Sequence, residues 1–265
     1  MILKRRVALN GKQLDSIDKR IVISGVEPGN GKENFSATNS ANGFGSRVTS
    51  QYRTMLDIVV KFMLLERGRS VTGMTERSKL LEQVNEWAAN GGVLTVNYKP
   101  KRRLNVILVQ APGEGSLWDF SKEFSLTFRA YDIPYWEDED ANIKSFGGTS
   151  PSGSSSIGVE GSVKTQCDVE VRNVSGMTIN RVAATVDGNQ MSFTNLALAA
   201  NETLVIDHDK GLVRIRIRNT SGGYRNAMAK RTGANDMTAR PGTRSCSYSC
   251  ERACSMTVRW RSRYL

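Results

Sequence analysis

The sequence predicts a mainly β protein in two parts, the first of which contains a single helix. Three observations support this fold class. Short segments of alternating apolar and polar residues fill most of the chain, only one segment has helical periodicity, and the composition changes sharply after residue 137. At 265 residues the chain is long enough for two domains with separate hydrophobic cores.

The first 68 residues predict three strands and one long connection. A short strand, a turn at Asn10-Gly11 and a second strand from Arg20 to Ser24 come first. Residues 25–47 are rich in Gly, Asn and Ser and lack periodicity, which predicts a long loop that projects as an arm. Residues 52–68 alternate with one wholly apolar face, which predicts a long strand.

The single helix is predicted at about 76–89. Its apolar stripe consists of Leu80, Leu81, Val84, Trp87 and Ala88. We expect Thr75 to cap the first turn and Gly91 to end the helix in a left-handed conformation. Three further strands are predicted at 93–98, 103–112 and 124–137.

The second part begins after an acidic and then Gly/Ser-rich stretch. This composition predicts a linker at 140–158 between an N-terminal domain, 1–139, and a C-terminal domain, 159–265. The C-terminal domain contains only short strands separated by turn residues, at the spacing typical of a β-sandwich. The acidic run at 137–140 is expected to be a solvated segment.

Candidate catalytic chemistry is scarce. The sequence lacks the nucleophile elbow, the phosphate-binding loops and the zinc-protease motif, and it contains one histidine. That histidine, His208, lies between Asp207 and Asp209, which would suit a metal or acid–base site. The flanking segments alternate as strands and Gly211 follows, so a hairpin with Asp207 bonded to turn amides is favoured. The sequence therefore predicts no enzyme, no metal and no cofactor.

Cysteine and charge patterns favour structural explanations. Cys246, Cys250 and Cys254 are clustered, but only the distant Cys167 could complete a four-sulfur zinc set, so partly buried cysteines on late strands are favoured. Residues 210–265 hold thirteen Lys and Arg against two acids, equal to the whole net charge of +11. A solvated face or a protein interface is favoured over nucleic-acid binding, because the sequence contains no known nucleic-acid-binding motif.

Several stretches, in order, resemble one protein family over nearly the whole chain. They are "VALNGKQL", "SANGFGSRVTSQYRTMLDIVVKFML", the helix ending at "EWAANGG", "YDIPYWED", "VRNVSGMTINRVAATVDGNQMSFTNLALAANETLVIDHDKGLVRI" and "ARPGTRSCSYSCERACSMTVRWRSRYL". Together they resemble the distal tail proteins of siphophages, the Dit family. The chain departs from the family pattern in an inserted Ile133, in the polar segment "NTSGGYRNAMAKRTGAND" and in its cysteine cluster.

The resemblance implies a structural role in the virion. The N-terminal domain is expected to be a β-sandwich that forms a hexameric ring, and the C-terminal domain a galectin-like sandwich that projects from it. The ring would join the tail tube protein to the tail-tip hub protein and to receptor-binding components of the baseplate, with DNA only passing through the lumen. The protein would be made in the host cytoplasm, since the sequence has no signal peptide and no apolar run long enough to cross a bilayer.

The arm at 25–47 is the predicted contact with a neighbouring subunit or tail layer. Its candidate interface residues are Asn30, Phe35, Asn42, Phe44 and Arg47. The alternative function is a carbohydrate-binding module for attachment to the host surface, because galectin-like sandwiches can bind sugars. That alternative needs an exposed aromatic residue, and Phe193, Tyr224, Tyr248, Trp260 and Tyr264 are the candidates. A cell-wall hydrolase is disfavoured by the missing catalytic residues.

Overall fold

A computed structural model describes residues 6–29, 32–39, 46–65, 71–113, 123–209 and 211–265. The chain divides into two compact units, Met1–Trp136 and Glu137–Leu265. This boundary lies three residues before the predicted end of the first domain at residue 139. Within the described ranges, no helix is both long enough and apolar enough to cross a membrane.

Among its described residues, unit 1 contains an antiparallel sheet and one α-helix. Its central strands run in the order β2-β1-β6-β7-β8-β5-β3, and β4 pairs with β5. The elements are β1 Val7–Leu9, β2 Lys12–Gln13, β3 Ile21–Pro28, β4 Lys32–Asn39, β5 Ser46–Leu64, α1 Val71–Ala89, β6 Gly92–Val96, β7 Arg102–Gln110 and β8 Phe124–Ala130. A short strand, β9 Trp136–Asp138, lies at the junction of the units.

The core of unit 1 follows the predicted apolar faces. In β8 every second residue, from Phe124 to Ala130, is buried, and β5 buries its alternate residues from Leu56 to Leu64. The helix buries its stripe against this sheet, and the Trp87 ring meets the Phe128 ring edge-on with centroids 6.1 Å apart. Burial of each large apolar side chain stabilises the fold by roughly 1.5–3 kcal/mol.

The helix is confirmed, but it begins earlier than its capping signal predicts. Thr75 lies inside the helix, which already includes Val71. Local propensity disfavours helix at Val71 and Gly73, yet Gly73 is buried, so packing extends the helix by a turn. Gly91 ends it with a φ of +59°, as predicted.

Unit 2 is a sandwich of two antiparallel sheets around one core. One sheet has the order β10-β21-β12-β15-β16-β17, with β19 on β12, and the other has the order β11-β20-β13-β14-β18. The strands are β10 Asn142–Gly147, β11 Ser152–Val159, β12 Thr165–Asn173, β13 Val182–Val186, β14 Asn189–Phe193, β15 Thr203–Asp209, β16 Leu212–Arg218, β17 Tyr224–Asn226, β18 Arg231–Gly233, β19 Thr238–Ala239, β20 Gly242–Cys250, β21 Cys254–Trp260 and β22 Arg263–Tyr264.

The predicted linker at 140–158 is wrong. Most of it forms β10 and β11, which pair along their length with β21 and β20. Small polar side chains suit the exposed positions of an edge strand, and Ser152, Ser154 and Ser156 occupy them while Ile157 is buried. The Gly/Ser composition therefore belongs to two edge strands of the sandwich rather than to a flexible connection.

Candidate functional site

The predicted arm is a β-ribbon rather than a loop. The segment 25–47 contains the end of β3, all of β4 and the start of β5, and β4 pairs antiparallel with β5. Periodicity fails to predict this ribbon because residues 25–47 show no alternation of apolar and polar residues. Two register shifts, after Lys32 and after Ser36, interrupt the pairing as β-bulges, which increase twist.

The ribbon extends beyond the sheet that carries it. The second half of β5, from Leu56 onward, pairs with β8 and β3, whereas residues 46–55 pair only with β4 among the described strands. Ten residues of strand span about 34 Å. An isolated two-stranded ribbon is marginally stable in water, and its unpaired edges accept further strands. The ribbon therefore has the properties of a contact surface.

The five predicted interface residues are only partly placed. Phe35 lies in β4 opposite Gln51, and Arg47 lies in β5 opposite Thr38. Asn30, Asn42 and Phe44 lie outside the described residues. The structure thus puts Phe35 and Arg47 on opposite strands of the same ribbon.

The hairpin prediction for His208 is confirmed, but its side chain has partners that the sequence analysis missed. Asp209 pairs with Leu212 across the turn, and Gly211 has a φ of +81°. The His208 side chain is only 6% exposed. Its Nδ1 donates to Asp168 Oδ1 at 2.8 Å, and its Nε2 donates to Asp236 Oδ1 at 2.6 Å.

This arrangement makes His208 a buried cation. Burial alone would lower the pKa of His208, but the hydrogen bonds to Asp168 and Asp236 outweigh burial and raise the pKa to about 9. Both ring nitrogens are occupied by carboxylates, so neither is left to bind a metal or accept a proton from a substrate. In the part of the chain that the structure describes, no group of three His, Cys, Asp or Glu side chains is placed to hold a metal ion.

Asp207 was predicted to bond turn amides, but its partners are arginines. Its Oδ2 accepts hydrogen bonds from Arg214 at 3.1 Å and from Arg216 at 2.6 Å. Because side chains at 207 and 214 lie on directly paired residues of β15 and β16, an ion pair forms across the strands. Asp207 therefore stabilises the outer face of the sheet.

The basic segment 210–265 is largely matched by acids elsewhere in unit 2. Residues 137–265 carry 17 Lys and Arg and 13 Asp and Glu, a net charge of +4, so unit 1 carries the remaining +7. Among the described residues, six of the eleven arginines of the segment pair within 3.1 Å with acids that precede it in sequence. These pairs are Arg214 and Arg216 with Asp207, Arg218 with Glu170, Arg225 with Glu202, Arg240 with Asp187 and Arg263 with Glu137.

The acidic run at 137–140 is only half solvated. Glu137 is buried, and its Oε1 lies 3.1 Å from Arg263 Nε. Asp138 accepts hydrogen bonds from the Ser262 N–H at 3.0 Å and from the Tyr264 hydroxyl at 2.9 Å. Glu139 and Asp140 are exposed. The first two acids thus hold the end of the chain in place, and the prediction of a solvated run is wrong for them.

The polar segment that departs from the family pattern supplies an edge strand to each sheet. β17 pairs with β16, and β18 pairs with β14. Beside β17 lies an open groove of about 310 Å³. It is lined by Val213, Arg214, Arg216, Tyr224, Asn226 and Met228. Tyr224 is half exposed, with the Arg216 guanidinium 4.3 Å from its ring centroid.

The other aromatic candidates for a sugar site are enclosed. Phe193 and Tyr248 are buried in the sandwich, and Trp260 is 7% exposed with its indole N–H donating to the Gly158 carbonyl at 3.2 Å. Tyr264 is bonded to Asp138. Tyr224 is therefore the one of the five candidates that is exposed.

Comparison with known proteins gives structural matches only. No protein-family profile and no curated protein matches the sequence. The crystal structure of the Dit protein of phage SPP1, described as a paradigm of the hub adsorption apparatus in phages that infect Gram-positive bacteria, matches with a TM-score of 0.67 at 11% identity. The match covers 98% of this chain and 99% of that chain. This chain has the Dit fold.

Two further matches come from the phage P2 baseplate in its activated conformation, with Ca and with Sr. Their TM-scores are 0.47 and 0.44, at 10% and 11% identity, and each covers 97% of this chain. They cover 98% and 97% of the P2 chains. The Dit fold, with its antiparallel sheets and single helix, confirms the predicted mainly β fold class over both units.

Proposed function

We propose that this chain is a structural, non-enzymatic protein of a phage tail tip. It forms a ring that joins the tail tube protein to the tail-tip hub protein and to receptor-binding components, and DNA only passes through the ring. The observation that carries this proposal is the Dit fold over 98% of the chain, shared with a protein described as part of a hub adsorption apparatus.

Unit 1 is the ring-forming part of this proposal, and the ribbon is its principal contact. Closed rings repeat one heterologous interface by rotation, so each subunit must present a donor surface and an acceptor surface. A ribbon of β4 and the first half of β5 is a donor surface, since residues 46–55 pair only with β4 among the described strands. Unit 2 is the galectin-like part that projects outward.

The experiment replaces the ribbon and measures the oligomeric state. Residues 30–55 are replaced by a short Gly-containing turn; this closure suits the fold, because the Gly29 N–H already donates to the Asp57 carbonyl at 2.6 Å. The full chain should form hexameric rings in light scattering and negative-stain images, and the variant should be a folded monomer. Leu212→Ser, at an exposed turn of unit 2, is the matched surface control.

The two outcomes that would overturn the proposal are distinct. Rings that form normally without the ribbon would remove the ribbon from the interface. A full chain that stays monomeric at high concentration, and does not bind to purified tail tubes, would contradict the ring itself. The control variant should behave like the unaltered chain in both measurements.

A second candidate function, saccharide binding, is favoured by the groove at Tyr224. Ligand sites combine an apolar or aromatic surface with a few fixed polar groups, and Tyr224 lies beside Asn226, Arg214 and Arg216. Asp207 neutralises much of the arginine charge, so the groove suits a neutral sugar better than an anion. A glycan array with the full chain tests this, with Tyr224→Ser expected to lose binding and Tyr131→Ser in unit 1 expected to keep it. An array without a bound glycan contradicts this function.

A further inference from the structure

Two of the four cysteines flank one corner of the unit 2 sandwich. Cys250 is the last residue of β20, and Cys254 is the first residue of β21. The Cys250 N–H donates to the Pro151 carbonyl at 2.7 Å, and the Cys254 N–H donates to the Ser150 carbonyl at 3.1 Å. Because these carbonyls belong to consecutive residues, both cysteine backbones are held beside the same short segment. Only three residues, 251–253, separate the two cysteines along the chain.

The corner is fixed on every side. The Cys254 carbonyl accepts hydrogen bonds from the Tyr248 hydroxyl at 2.6 Å and from the Gly148 N–H at 2.8 Å. Between the cysteines, the Glu251 carboxylate accepts the Asn180 N–H at 2.9 Å. Pairing of Cys250 with Val182 places it in one sheet, whereas Cys254 pairs in the other. A bond between the two sulfurs would therefore tie the two sheets together at this corner.

The remaining cysteines are badly placed for such a bond. Cys246 lies four residues before Cys250 on the same strand, a separation of about 13 Å, whereas bridged Cα atoms lie within about 7 Å. Cys167 and Cys246 face each other from opposite sheets, which pack about 10 Å apart. Both are buried, and the Cys246 sulfur donates to the Ser155 carbonyl at 3.4 Å. Only the pair at the corner combines backbones held by consecutive carbonyls with a partly exposed member, Cys250.

We propose that Cys250 and Cys254 form an intramolecular disulfide once the protein leaves a reducing compartment. A small-molecule disulfide, such as oxidised glutathione, is the oxidant. The more accessible Cys250 sulfur attacks it first and releases one thiol, which leaves a mixed disulfide on Cys250. The Cys254 sulfur then attacks Cys250, expels the second thiol and completes the protein disulfide. The protein thus gives up two thiol hydrogens and two electrons, and the oxidant becomes two free thiols.

Cys254 is suited to be the resolving cysteine, the one that attacks the mixed disulfide. The interaction between the two thiols lowers the pKa of Cys254 and raises the pKa of Cys250, so exposure rather than acidity makes Cys250 the first sulfur to react. Cys254 is fully buried, so an external oxidant reaches it only through the mixed disulfide on Cys250. In contrast, burial raises the pKa of Cys167 to about 12, which keeps that sulfur protonated and unreactive.

The experiment compares the reduced full chain with the chain incubated in oxidised glutathione. Intact mass should fall by two hydrogen atoms, and thiol titration should find two of the four cysteines lost. Trypsin cleaves between the pair at Arg252, so the disulfide should join peptide 245–252 to peptide 253–259. Because the first peptide also contains Cys246, Cys246→Ser should keep the joined peptides and Cys250→Ser should abolish them.

Oxidation should also raise the melting temperature of unit 2 in the Cys246→Ser variant but not in Cys250→Ser. Four free thiols after prolonged oxidation would overturn the proposal, as would a joined peptide that depends on Cys246. A bond between two chains, seen as a doubled mass on a non-reducing gel, would contradict the intramolecular pairing. Peptide mapping of the unaltered chain decides the matter even if a variant fails to fold.

Discussion

The two units differ in how completely each pairs its own charges and its own strand edges. Unit 2 closes a two-sheet sandwich around one core, and most arginines of its basic segment find a carboxylate within the unit. Unit 1 carries a net charge of +7 and a ribbon that the described strands leave without a third strand. A surface that is incomplete in the single chain is a surface for assembly. Under the proposed function, assembly is the role of unit 1 and independent stability is the property of unit 2.

The largest expected difference between the units comes from a large-to-small substitution in one hydrophobic core. Phe193 is 1% exposed in unit 2, and Phe193→Ala should cost about 3–5 kcal/mol of its unfolding free energy. Calorimetry of the full chain should show one transition at a lower temperature and the other unchanged, while rings still form. Phe128→Ala is the matched change in unit 1. Loss of rings in Phe193→Ala at a temperature where unit 1 stays folded would show that the division is wrong.

A second test uses the only histidine of the chain. The folded pKa of His208, about 9, lies above its unfolded value near 6.5, so its contribution to stability is complete below pH 6.5. That contribution declines as the pH rises towards 9 and is lost above it, a change of about 2 kcal/mol after allowance for partly exposed partners. In the full chain, the transition of unit 2 should have a lower melting temperature at pH 9.5 than at pH 7, and the transition of unit 1 should not show this shift.

The control for this titration is His208→Gln, which cannot become charged. The variant should be less stable at pH 7, because Asp168 and Asp236 lose their cation. Its stability should also change less between pH 7 and pH 9.5 than that of the unaltered chain. An equal pH dependence in both proteins would assign the effect to other groups and remove His208 from the comparison.

Sequence periodicity predicted the elements whose burial pattern is local. The alternation in β8 and the apolar stripe of α1 need no knowledge of their partners, so both were predicted correctly. The ribbon was missed because its sequence, rich in Gly, Asn and Ser, shows no alternation of apolar and polar residues. The strand at 152–159 was missed because exposed serines in an edge strand have the same composition as a linker.

The partners of His208 depend on register, which local sequence does not contain. Asp168 is 40 residues away in sequence and Asp236 is 28 residues away, whereas the adjacent Asp207 and Asp209 point to arginine. Pairing of the two predicted strands that contain Asp168 and His208 would have been the available signal. The net charge of the last 56 residues was similarly misleading, since their acids lie earlier in the same unit.

The smallest expected effect tests whether charge pairing itself distinguishes the units. Arg214 takes part in a network with Asp207, Asp209 and, through Asp207, Arg216. Arg214 is 41% exposed, so Arg214→Ala should lower the free energy of unfolding only slightly. Lys61 of unit 1 forms a pair with Glu27 at 2.6 Å, and Lys61→Ala should lower it even less.

High salt should reduce both differences, because exposed pairs are screened. Denaturant titration of each variant at low and high salt measures the loss of unfolding free energy. The transition to follow is that of the unit that carries the substitution. A network holds its side chains in place through several partners. At low salt, Arg214→Ala should therefore lose more stability than Lys61→Ala. Equal costs for Arg214→Ala and Lys61→Ala would mean that the internal pairing of unit 2 adds no stability, and the ribbon of unit 1 would then be the one surface on which the two units differ.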